Sequence, residues 1–174
     1  MRSQLDPGSP GVPMRQPIKL LIVDDESRFL STIASRLRLR GFDVHTAVNG
    51  FDALELARKE PFALALIDLK MPGLDGGQVL AQLKAEHRFI EAIILTGHGT
   101  LDSVVELSKV GAFTCLPKPF ELEKLLVVLQ QAYVVRMKKK FAGDPDMVDR
   151  IEGIACGDDP RRVLEQLSLL DVEP

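Results

Sequence analysis

Five residues in this sequence could share one piece of chemistry: Asp24, Asp25, Asp68, Thr96 and Lys118. Each stands at the end of an apolar run. Residues 18–23 lead into Asp24 Asp25 Glu26, residues 62–67 into Asp68, residues 90–95 into Thr96, and residues 113–116 into Pro117 Lys118. Three carboxylates brought together repel one another unless a cation lies among them, and oxygen ligands with room for water suit Mg²⁺. A hydroxyl and an ammonium add little to a metal site alone. Facing an anion held by the metal they make sense, and the anion that uses both is a phosphoryl group.

For these residues to meet, the apolar runs must be neighbouring strands ending on one edge. Residues 62–67 show no polar alternation, which fits a strand covered by helices on both faces, and Met71 Pro72 Gly73 stops it and opens a loop. Open α/β sheets bind ligands in the crevice at the carboxyl ends of their strands. Asp68 is therefore placed for chemistry, although alone it would read equally well as a helix N-cap.

Between the strands lie segments with helical spacing. Residues 26–40 carry Phe29 or Leu30, Ile33, Ala34 and Leu37 on one side and arginines on the other, closed by Gly41. Asn49 Gly50 opens a helix through Lys59 after a strand over 42–47, and residues 75–86 turn Val79, Leu80 and Leu83 inward. A fourth helix spans 101–109 before Gly111, and a long one starts near Glu121. Five strand-then-helix repeats predict an α/β, doubly wound parallel sheet with right-handed crossovers.

Composition narrows the function classes. The chain has 174 residues, 45% of them hydrophobic and 27% charged, which suits one ordinary domain with tails. A net charge of −3 is no footprint of a nucleic-acid binder. No run approaches the roughly 20 apolar residues that cross a bilayer, so a cytoplasmic protein with no membrane partner is expected. Its two cysteines, Cys115 and Cys156, lack metal-ligand spacing. Residues 1–16, with three prolines and two glycines, read as a disordered leader.

Taken together, Val23 Asp24 Asp25 Glu26, Asp68 Leu69 Lys70 Met71 Pro72 Gly73 with Asp75 Gly76, Leu95 Thr96 Gly97, and Gly111 Ala112 with Lys118 Pro119 Phe120 resemble the receiver domain of two-component response regulators. Any one of these motifs is weak; all of them in order, each at a predicted strand end, are specific. The resemblance spans residue 18 to about Tyr133 and implies the flavodoxin-like strand order 2-1-3-4-5, with the domain over 17–135 and an extension over 136–174. It makes Asp68 the phosphoacceptor, taking phosphoryl from a sensor histidine kinase or phosphotransfer protein, with Thr96 and Lys118 contacting the phosphoryl oxygens. Asp25, Asp68 and the backbone carbonyl of Lys70 would hold Mg²⁺ directly and Asp24 through water. It implies a cis bond at Lys118–Pro119, and a signalling acceptor rather than an enzyme with an external substrate. Lys70 and His98, each two residues beyond a site residue, would flank the water that hydrolyses the acyl phosphate.

One position departs from the family pattern: three residues before the lysine, where an aromatic switch residue is usual, stands Cys115. Phe113, on the same face by strand alternation, is two residues away and cannot fill that volume. Beyond the domain, the long helix is expected to run to Phe141 with Arg136 and Lys138 to Lys140 capping its end, followed by helices over 146–155 and from Asp159 onward. The stripe Val163, Leu164, Leu167 and Leu170 needs cover. It is expected on the face made by the fourth and fifth helices and fifth strand, in cis or in a homodimer, with exposure that phosphorylation changes. The leading function is a phosphoacceptor module acting by contact with an output protein. The alternatives are a transcription regulator whose DNA-binding region lies elsewhere or in the tail, and an aspartyl-phosphate phosphatase, against which Lys70 stands where a second acid is needed.

Overall fold

The computed structural model describes residues 16–97 and 99–171. The expected leader, apart from Gln16, and His98 lie outside the described residues. Strands β1 (Lys19–Val23), β2 (Asp43–Ala47), β3 (Leu64–Asp68), β4 (Glu91–Thr96) and β5 (Thr114–Pro117) form one parallel sheet in the order β2-β1-β3-β4-β5. Helices α1 (Ser27–Arg38), α2 (Gly50–Lys59), α3 (Gly76–Glu86), α4 (Leu101–Val110) and α5 (Leu122–Lys140) connect and follow the strands. This is the expected doubly wound fold.

Alternation along the strands sorts the core into two layers. Leu20, Ile22, Leu64, Leu66, Ile93 and Leu95 pack with α1 and α5, whereas Leu21, Val23, Ala65, Ile67, Ala92 and Ile94 pack with α2 and α3. Helix starts follow their sequence signals: Asn49, Asp75 and Thr100 accept amides of the first turn, and Asp75 forms a capping box with Gln78. Gly111, at φ 106°, closes α4 in the left-handed conformation that a glycine adopts without strain.

Two expectations about position are corrected. Phe113 precedes β5 and packs against the α1 and α5 layer, while Cys115 packs against the other, so they do not share a face. Strand alternation does not extend to a residue outside the strand. The first tail helix, α6 (Pro145–Ala155), also starts earlier than expected: Asp144 caps it through the Met147 amide, and Pro145 occupies the first turn, where its missing N–H costs nothing.

Helix α7 (Pro160–Leu170) follows, capped by Asp159, and buries Val163, Leu164 and Leu167. These three and Ile151 of α6 join the cluster that contains Ile18, Leu37, Phe42, Leu129, Tyr133 and Met137. The tail therefore packs in cis on α5, on the side turned towards α1 and the amino ends of β1 and β2. The face expected to receive it leaves Leu101 and Val105 of α4 exposed. The basic run in α5 serves this packing. Arg136 and Lys140 pair with Asp171, which also accepts the Tyr133 hydroxyl at 2.7 Å, and Lys138 pairs with Glu152 at 2.7 Å. Lys139 reaches instead to Glu91 at the start of β4, which Lys84 of α3 meets as well.

Candidate functional site

The carboxyl ends of β1, β3, β4 and β5 bring Asp24, Asp25, Asp68, Thr96 and Lys118 to one edge of the sheet. Asp24 follows β1 directly and its amide donates to the Ala47 carbonyl of β2 at 3.1 Å, which fixes the strand end. One oxygen of its side chain accepts the Glu26 amide at 2.8 Å, so the turn into α1 orients the carboxylate. Asp68 closes β3. Its backbone is gripped by a close approach of α3, where a side-chain carbon on Gly76 would stand 2.4 Å from the Asp68 carbonyl oxygen. Only glycine fits there.

Lys118 reaches back across these strands. Its ammonium donates to Asp24 Oδ2 at 2.6 Å and to Asp68 Oδ1 at 3.2 Å. The Lys118–Pro119 bond is cis, as the resemblance implies. The Lys118 amide also donates to the Thr96 carbonyl at 2.7 Å, which ties the two loops together. Thr96 and Asp24 are buried and Asp25 is exposed.

Three carboxylate oxygens, one each from Asp24, Asp25 and Asp68, lie within 4.8 Å of one another. Burial pushes the Asp68 carboxyl above its ordinary pKa, the Asp24 charge adds to the shift, and Lys118 only partly opposes it. Burial acts to lower the Lys118 ammonium, but the Asp24 and Asp68 carboxylates outweigh it and the net shift is upward. The site thus holds more negative charge than one lysine neutralises. Its donors are all oxygens and face an open cleft lined by Asp25, Glu26, Asp68, Leu69, Lys70, Gly97 and Lys118. That donor set fits a small, hard, partly hydrated divalent cation such as Mg²⁺.

Asp24, Asp25, Asp68, Thr96 and Lys118 therefore all reach this edge, with Lys70 on the lip of the cleft. Phe29, by helical spacing only a core candidate, has its ring 4.3 Å from the Lys118 ammonium. Its position four residues after Asp25, in the first turn of the helix that leaves the site, is the signal that would have marked it. Cys115 is half-buried and burial pushes its thiol up, which suits an unreactive packing residue.

Comparison with known proteins agrees with this geometry. Residues 20–130 match the family model of the response regulator receiver domain. Sporulation initiation phosphotransferase F of Bacillus subtilis is 36% identical over 107 residues, covering 62% of this chain and 86% of that protein. An NtrX-like response regulator of Rickettsia typhi is 34% identical over 125 residues, 71% of this chain but 26% of that protein, so the chain spans about a quarter of that relative's length. The crystal structure of a CheY-like receiver domain protein from Methanospirillum hungatei superposes with a TM-score of 0.68 at 27% identity, over 71% of this chain and 99% of that one.

Proposed function

We propose, from the premise that this chain belongs to the response regulator receiver domain family, that Asp68 is the phosphoacceptor and that the module signals by protein contact. The observation that carries the reading is the placement of the Lys118 ammonium between Asp24 and Asp68 beside a three-carboxylate cluster. The donor is a phosphohistidine of a sensor histidine kinase or phosphotransfer protein. An Asp68 oxygen attacks phosphorus, the P–N bond breaks as the P–O bond forms, and the imidazole leaves with its electron pair and is protonated from solvent.

Asp25, Asp68 and the Lys70 carbonyl are the proposed direct holders of Mg²⁺, with Asp24 acting through water. When bound, that ion supplies positive charge beside the transferring oxygens and offsets the repulsion between them and the site's carboxylates. Lys118 exchanges its Asp24 partner for a phosphoryl oxygen, and the Thr96 hydroxyl donates to another. The chain works on its own phosphoryl group rather than on an external substrate.

The output partner is a protein that reads the phosphorylated surface, in the cytoplasm. A second reading, in which this receiver serves a larger regulator with its DNA-binding region elsewhere, is favoured by the 38% identity over 112 residues to the DNA-binding transcriptional regulator NtrC of Escherichia coli, of which this chain covers 24%. The chemistry is tested by mass spectrometry after incubation with Mg²⁺ and acetyl phosphate. One adduct of about 80 Da, labile to hydroxylamine, is expected, and Asp68→Asn or EDTA should abolish it. An undiminished adduct in Asp68→Asn would place the acceptor elsewhere.

A further inference from the structure

The role proposed for Lys118 requires a buried ammonium to stay at the site while its partners change. The Lys118 side chain is only 17% exposed, so water does little of this work. Two carboxylates hold it now. A divalent cation entering the cluster would draw on those same carboxylates, and the ammonium would lose much of their attraction just when it must meet the phosphoryl group.

A third contact is not subject to that competition. The Lys118 ammonium lies 4.3 Å from the centroid of the Phe29 ring, within the range where an aromatic face attracts a cation, and that attraction grows as water is excluded. The ring is itself braced. Phe120, two residues beyond Lys118, meets Phe29 edge to face, with centroids 6.1 Å apart and planes at 88°. Both rings pack against the core layer of α1 and α5. The aromatic pair thus joins the first turn of α1 to the loop that carries the lysine.

We propose that Phe29 is a positioning residue for phosphoryl transfer: its ring holds the Lys118 ammonium at the site while the lysine passes from Asp24 to a phosphoryl oxygen. An aliphatic side chain of similar size would bury the lysine equally and offer it no attraction. The inference rests on the reading of Lys118 as the phosphoryl contact.

The test compares Phe29→Leu, which keeps the apolar bulk, with Phe29→Tyr, which keeps the π face, in the full chain. Beryllofluoride affinity at saturating Mg²⁺, the rate of phosphorylation by acetyl phosphate, and the NMR shifts of the Lys118 ε-methylene are measured. Phe29→Leu should bind beryllofluoride about fivefold more weakly, slow phosphorylation by a similar factor and lose the ring-current shift. Its Mg²⁺ affinity should match the parent, and Phe29→Tyr should behave as the parent throughout. Parent-like affinity in Phe29→Leu, or equal weakening in both variants, would overturn the proposal and reduce Phe29 to packing. Phosphorylation that persists in Asp68→Asn, run in parallel, would instead remove the site assignment on which the proposal stands.

Discussion

The Lys118 ammonium donates to Asp24 Oδ2 at 2.6 Å, a shorter bond than the one it makes to the proposed acceptor. Asp24 is fully buried, so its charge depends on this lysine and on the Glu26 amide. Removing one partner of a buried pair leaves an uncompensated charge. Lys118→Met should therefore lower unfolding stability by about 2 to 4 kcal/mol in Mg²⁺-free buffer. Millimolar Mg²⁺ should recover part of the loss, because a cation among the carboxylates takes over the same compensation. Urea denaturation with and without Mg²⁺ measures this, and a loss indifferent to Mg²⁺ would count against a shared cation site.

Asp68 has the opposite sign. Its folded-state pKa is raised, by burial first and then by Asp24, so the folded protein takes up a proton more readily than the unfolded chain. Stability from this group therefore rises as pH falls through the window between the unfolded and the raised folded value, and above that window the charge is a cost. Asp68→Asn should stabilise the Mg²⁺-free protein at neutral pH while abolishing phosphorylation. The phosphorylation rate of the parent should fall on acidification, as the nucleophile is protonated. A less stable Asp68→Asn would show that the Lys118 contact outweighs the repulsion.

The edge of the sheet was legible in the sequence because both its determinants are local. An apolar run ending in Asp68 and a stop at Met71 Pro72 Gly73 state the strand and its end together, and the sheet's parallel pairing then brings such ends into register. The contacts that complete the site are not local. Helical spacing leaves Phe29 as one of two core candidates, because it cannot tell a ring facing the core from one facing a lysine 89 residues further along. The basic end of α5 looks like a helix cap from sequence, since Tyr133, Arg136 and Lys140 acquire meaning only through Asp171, more than 30 residues later. The tail's amphipathic stripe showed that it needed cover but held no information about which face supplies it.

Lys70 stands exposed on the lip of the cleft beside Asp68. An ammonium there can pair with phosphoryl oxygens and obstruct the water that would hydrolyse the acyl phosphate. Lys70→Ala should shorten the phosphoryl lifetime severalfold while leaving Asp68 the acceptor. The decay of the adduct after removal of acetyl phosphate gives the answer directly. An unchanged or longer lifetime would show that the lysine does not screen the water.

The tail is held by both packing and charge. Leu167 is fully buried in the same cluster as Leu129 and Met137 of α5, so truncating it opens a cavity in the core rather than on a loose appendage. Leu167→Ala should cost about 2 to 4 kcal/mol, in a single cooperative transition. Asp171 locks the end of α7. Burial acts to raise its carboxyl, but Arg136, Lys140 and the Tyr133 hydroxyl overcome this and hold it below the ordinary carboxylate range. Its contribution is therefore complete above the unfolded value near 4 and disappears as pH falls through the lowered folded value. Asp171→Asn should destabilise the protein at pH 7 and make progressively less difference below about pH 4. Since α7 rests on α5 beside the amino ends of the strands, amides from Val163 to Leu170 should exchange slowly with or without beryllofluoride, and faster in Asp171→Asn. Fast exchange in the parent protein would mean that the docked tail is a minor state, and protection lost only on adding beryllofluoride would make it a phosphorylation-released cap instead of a fixed part of the core.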